Sequence, residues 1–158
     1  MKSRRYIGRC LAVATALAAV AAGAHHSFSI YNNEVTKVFT GVVTRVNPDA
    51  NHLQIFFAPM NAERKNVDRG PDGKPLVWAV EMAGSAQAAA DGISVNSFPP
   101  GTIFSAGMHP LRSGENAGSR EGALFKCPPK QPPAAGKHCD SVEGNIRLGA
   151  GALPAPKG

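Results

Sequence analysis

Two adjacent histidines, His25 and His26, follow a run of small residues, Ala22-Gly23-Ala24. Cleavage after Ala24 leaves His25 with a free α-amine. That amine and the His25 imidazole chelate one Cu(II) together, with His26, His52 or His109 completing the site. Cleavage after Gly23 leaves Ala24-His25-His26 instead. A histidine at mature position three binds Cu(II) or Ni(II) in a square plane, through the amine, two deprotonated backbone amides and the imidazole. Nitrogen-rich tetragonal sites suit those two metals. The candidate copper or nickel ligands are therefore His25, His26, His52 and His109. The plain alternative is that polar residues after a cleavage point only keep it accessible, since chain termini are where order is weakest.

Cys127 and Cys139 are the second chemical feature. Of the three cysteines, these two survive cleavage of the first 24 residues, and an even count in an exported chain points to a disulfide. A metal site built from Cys127, His138 and Cys139 is the rival reading, and its spacing matches no standard zinc knuckle. Trp78 and Glu81 form the third feature, a possible groove on one strand, although their spacing turns them to opposite faces. Catalytic patterns are missing. Gly84-Ser85-Ala86 lacks the Gly-x-Ser-x-Gly elbow. No phosphate-binding glycine loop, His-Glu-x-x-His helix or Cys-x-x-Cys pair occurs.

These readings depend on the first 24 residues. Lys2, Arg4, Arg5 and Arg9 make a basic start, and Cys10 to Ala22 is an apolar run. With Ala22-Gly23-Ala24 this is the pattern of a cleavable export signal, residues 1–24. The run is short for a permanent span. Cys10 precedes it, the wrong side for lipidation. Ser3-Arg4-Arg5-Tyr6-Ile7-Gly8-Arg9 resembles a twin-arginine signal, though arginine pairs also occur in ordinary basic starts. Residues 1–24 hold four of the 17 basic residues and none of the 11 acidic ones, so their removal lowers the net charge from +6 to +2. No dense basic face remains for a nucleic acid.

Residues 25–34 read as a polar lead-in with Phe28, Ile30 and Tyr31 as anchors. A β-rich domain over 35–148 follows, then a frayed tail over 149–158. Strands are expected at Val35–Val46, His52–Phe57, Leu76–Met82, Thr102–Met108 and Ala123–Cys127, with a short one at Ile146–Leu148. Gly41 inside the first suggests a bulge or bend. Asn47-Pro48-Asp49-Ala50-Asn51 and Pro99-Pro100-Gly101 are turns. Residues 58–75 and 112–122 read as loops. Ser85–Gly92 reads as a helix capped by Ser85 and ended by Gly92. Five short strands with one helix between the third and fourth, and no βαβ rhythm, predict a small five-stranded antiparallel barrel of the oligonucleotide/oligosaccharide-binding type, or a sandwich.

The residues also carry a resemblance. Ala24-His25-His26-Ser27-Phe28, Thr40-Gly41-Val42-Val43, Asn47-Pro48, Trp78-Ala79-Val80-Glu81 with Gly84-Ser85, and Pro100-Gly101 occur in that order. Over residues 24–112 the chain resembles an uncharacterised family of short exported bacterial domains. That family places a histidine directly after Asn-Pro, whereas Asp49-Ala50-Asn51 intervene here before His52. The Cys127–Cys139 segment lies outside its pattern. The resemblance implies a periplasmic or secreted location and a small β-rich fold, and supplies no activity.

The resulting expectation is an exported, non-catalytic β-barrel domain that binds a small ligand or an envelope protein, with Cu(II) or Ni(II) at its amino terminus as the sharpest form. A structural or interaction module without metal is the alternative. An enzyme of unrecognised type is the third reading.

Overall fold

The computed structural model describes residues 28–48 and 52–158. The chain divides into a leading unit, Met1–Ile30, and a main unit, Tyr31–Gly158. Of the leading unit, only the 3-10 turn Phe28–Ile30 is described.

The main unit contains β1 (Lys37–Pro48), β2 (His52–Pro59), β3 (Trp78–Gly84), α1 (Ser85–Ala90), β4 (Ile103–Pro110), β5 (Ala117–Lys126) and β6 (Ile146–Leu148). The strands run in the order β3-β2-β1-β4-β5-β6, and β3 also pairs with β5. That last pairing closes β1–β5 into a barrel. It is parallel, with Ala79 opposite Ala117 and Glu81 opposite Ser119, while the other ladders are antiparallel. The expected wholly antiparallel barrel is corrected in this one respect. An odd number of strands cannot alternate in direction all the way round a closed ring, so a five-stranded barrel needs one parallel seam.

The interior is filled. Ile55, Phe57, Val80, Phe104, Met108 and Leu124 are fully buried or nearly so. Phe57 and Phe98 meet Phe104 edge-on, with ring centroids 5.3 and 5.4 Å apart, a favoured aromatic geometry. Gly41 does not make the bulge. A methyl there would strike the Phe57 ring, and would lie 2.9 Å from the Ala58 carbonyl oxygen. The shift in register against β2 falls between Val43 and Arg45.

Ser85 is the first residue of α1 and not its cap. Gly84 holds the cap position without a side-chain bond. The helix ends as Gly92 implies. Gly92 has φ +73°, its N–H donates to Ala89 O, and the Ile93 N–H donates to Ala88 O. This is a Schellman ending, sealed by burial of Ala88 and Ile93.

Two expectations change after β4. The strand predicted to start at Ala123 begins at Ala117, inside the stretch read as loop. Gly118 and Gly122 hide it. A side chain at Gly118 would strike the His109 carbonyl oxygen, and one at Gly122 the Ala152 carbonyl oxygen. The tail is also tied down. Thr36 and Lys157 exchange backbone hydrogen bonds of 2.9 and 3.0 Å, and the Ala123 N–H donates to Ala152 O. Pro154 packs so closely on Gly107 that no methyl fits there.

The returning chain covers the outside of β4 and β5 with a second apolar cluster. Ala123, Phe125, Cys127 and Cys139 form it, with Ile103, Val142 and Leu153 against them. Cys127 and Cys139 are joined in a disulfide with Cα atoms 4.9 Å apart. Among the described residues no helix is long and apolar enough to cross a membrane.

Candidate functional site

Alternation along β2 sends Leu53, Ile55 and Phe57 inward and leaves His52, Gln54 and Phe56 outside. Register then carries one polar row across the outer wall. Asn47 of β1 lies opposite Gln54, Gln54 opposite Glu81 of β3, Glu81 opposite Ser119 of β5, and Ser119 opposite His109 of β4. Cross-strand neighbours share a face, so these five side chains line one strip.

Glu81 is the hub of this row. Gln54 Nε2 donates to Glu81 Oε2 at 3.2 Å, and Asn47 Nδ2 donates to Gln54 Oε1 at 3.4 Å. His52 Nδ1 lies 3.7 Å from Glu81 Oε1 and 3.2 Å from the Met82 carbonyl oxygen. Tyr31 also turns its hydroxyl to Glu81. Burial, with the Glu81 charge and hydrogen bond added, pushes the Tyr31 phenol up to about 12. Beside the row, the Arg45 guanidinium lies 3.4 Å from the centroid of the Phe56 ring.

Trp78 is on the other side of the wall. It packs against the core, 4.6 Å from Phe39, with the Lys37 ammonium 4.8 Å from its ring. Trp78 and Glu81 therefore do not line one groove. Trp78 belongs to the barrel interior and Glu81 to its outer wall.

The histidines are distributed as follows. His25 and His26 lie outside the described residues. His52 and His109 each pair with a carboxylate of their own, Glu81 and Glu121 respectively. Among the described residues no three His, Cys, Asp or Glu side chains gather as metal ligands. Both cysteines are consumed by the disulfide, so the rival site of Cys127, His138 and Cys139 has no thiolates to offer. His138 instead places Nδ1 2.8 Å from Thr40 Oγ1.

Compared with known families, residues 13–120 match a family described as of unknown function, DUF6152. The chain belongs to DUF6152. This agrees with the resemblance drawn from the Ala-His-His-Ser-Phe start. Neither the curated proteins nor the solved structures returned a match. The DUF6152 match takes in β1 to β4 and the first residues of β5, so it covers the polar row from Asn47 to His109. Glu121, the disulfide and His138 fall beyond it.

Sequence reasoning passed over Asn47 and Gln54 as site residues. The polar face of β2 was visible in its alternation. The meeting of Glu81 with Tyr31 and Ser119 required the β3–β5 seam, which leaves no local mark in the chain.

Proposed function

We propose that this DUF6152 protein is an exported, non-catalytic binding domain that chelates Cu(II) or Ni(II) at the amino terminus created by cleavage. The observation that carries this reading is His25-His26 placed directly after Ala22-Gly23-Ala24. Three consecutive residues then supply an amine, backbone amides and two imidazoles, a nitrogen-rich set suited to those ions. The filled barrel supports a role in binding at the periphery. Ile55, Phe57 and Val80, at zero exposure, pack the interior with side chains, which favours binding at the outer wall or the chain's start. The disulfide supports work in an oxidising compartment, the periplasm or outside the cell.

The test is Cu(II) titration of the protein purified from its export host, with its amino terminus sequenced. One tight equivalent that disappears in the His25→Ala/His26→Ala double variant supports the reading. No binding, or binding untouched by the double variant, overturns it.

A second reading follows from the row Asn47–Gln54–Glu81. Its half-buried amides and carboxylate suit the polar groups of an envelope protein partner, with no metal involved. A stoichiometric partner captured from envelope extract by the native protein, and lost with Glu81→Ala, supports this reading.

A further inference from the structure

His109 on β4 and Glu121 on β5 stand on neighbouring strands of the outer wall. His109 Nδ1 lies 2.9 Å from the Val35 carbonyl oxygen. A carbonyl only accepts, so Nδ1 carries a proton and donates it. The other ring nitrogen, Nε2, faces Glu121 Oε2 at 3.7 Å. That oxygen accepts a hydrogen bond from Thr36 Oγ1 at 2.7 Å.

In the neutral imidazole, Nε2 holds a lone pair. Two electron-pair donors then face one another across a gap too long for a hydrogen bond. Each is held in place from behind, the ring by a backbone carbonyl and the carboxylate by a hydroxyl. Supporting hydrogen bonds of this kind fix the tautomer and orientation of histidines and carboxylates that ligate metals. Ligands about 2.0–2.2 Å from a tetrahedral ion stand about 3.3–3.6 Å apart, so the 3.7 Å gap needs only a slight closure to take one. The two side chains are 21 % and 34 % exposed, so an ion and its water can reach them.

We propose that His109 Nε2 and the Glu121 carboxylate hold one tetrahedral divalent ion of the Zn(II) class, with water completing the shell. No third His, Cys, Asp or Glu joins them among the described residues, so the ion exchanges with solvent and is not locked into the fold. The site stands apart from amino-terminal chelation and can fail independently of it. The rival occupant is a proton, which would make an imidazolium paired with Glu121.

The experiment uses the full-length processed chain carrying His25→Ala/His26→Ala, so that the amino-terminal histidines are silent. Zn(II) is titrated by calorimetry while the His109 ring nitrogens are followed by NMR. The expected result is one equivalent bound, with the His109 Nε2 resonance moving on saturation. Glu121→Gln and His109→Gln should each weaken binding at least ~10-fold, the scale on which ligand-shell changes act. His52→Ala should leave it unchanged. Absence of saturable binding, with Nε2 carrying a proton, overturns the proposal in favour of the ion pair. Binding that survives Glu121→Gln, or that is lost with His52→Ala, overturns it as well. Glu121→Gln keeps the acceptor for Thr36, so loss of binding without a fall in thermal stability separates ligation from misfolding.

Discussion

His138 Nδ1 lies 2.8 Å from Thr40 Oγ1, joining groups 98 residues apart in the chain. The Thr40 hydroxyl is also 2.7 Å from Ser105 Oγ, and Ser105 Oγ accepts the Cys139 N–H at 2.8 Å. Thr40 and Ser105 are buried against the outer face of the barrel. The chain of hydroxyls thus connects β1 and β4 to the disulfide-bridged segment that covers them.

The His138 imidazole is held below its ordinary range, first by burial and then by the Arg64 guanidinium, with Asp140 opposing. A depressed value in the fold means that unfolding favours proton uptake. The stability contributed by His138 is therefore complete above its unfolded value, about 6.5, and is lost as pH falls through the folded value. Urea midpoints measured from about pH 8 to about pH 5 should fall toward acid, and His138→Gln should flatten that fall. An unchanged slope in the variant would count against this assignment. Thr40→Val, which removes the hydroxyl that His138 and Ser105 share, should cost about 1–3 kcal/mol.

A second acid-sensitive contact joins Arg120 of β5 to Asp91, the residue that ends α1. Their side chains are 13 % and 10 % exposed, and Arg120 Nη1 has no further partner. The Arg120 hydrogen bond holds the Asp91 carboxyl below its usual range against the opposing effect of burial. That contribution is present above about pH 3.9 and is lost as pH drops through the folded value. Asp91→Asn leaves the partly buried guanidinium without its counter-charge and should cost about 1–3 kcal/mol by denaturant titration at neutral pH. Asp91→Asn combined with Arg120→Met should recover much of that loss. A double variant as unstable as the single one would show that the charge is not the cause.

Much of the architecture was legible because its signals are local. Alternation marks β2 and β3, Gly92 marks the helix end, and Ile146–Leu148 forms a strand where expected. The disulfide followed from counting cysteines. What stayed hidden depends on distant partners. Gly118 and Arg120 look like loop residues until β3, β4 and α1 close around them. His138 looked like an ordinary loop histidine because its partner, Thr40, reaches it from β1, 98 residues away in the chain. Alternation also put Trp78, Val80 and Met82 on the inward face of β3 and Glu81 on the other, as the barrel has them.

The alkaline side should report on Tyr31. Its phenol is pushed up to about 12, by burial first and by Glu81 second. A raised value in the fold contributes stability that is complete below about pH 10 and is lost as pH rises through the folded value. Phenolate absorbance should show one tyrosine titrating late. Glu81→Gln should bring it only part of the way back, because burial is the larger cause and remains. Full return to the ordinary value in Glu81→Gln would reverse that order of causes.

The disulfide ties down the segment that carries His138. Cys127 and Cys139 are 12 residues apart, and both are buried in the second apolar cluster. Closing a loop of this size restricts the unfolded chain by about 3 kcal/mol in the chain-entropy model. Cys127→Ser/Cys139→Ser should lower stability by about that amount. The barrel's own core, from Val43 to Leu124, does not include either cysteine. Hydrogen exchange should therefore quicken first at the Cys139 amide, which donates to Ser105, while the Phe57 and Val80 amides stay protected. If all three amides exchange together in the variant, the covering segment and the barrel unfold as one unit. The disulfide would then hold the whole fold and not the cover alone.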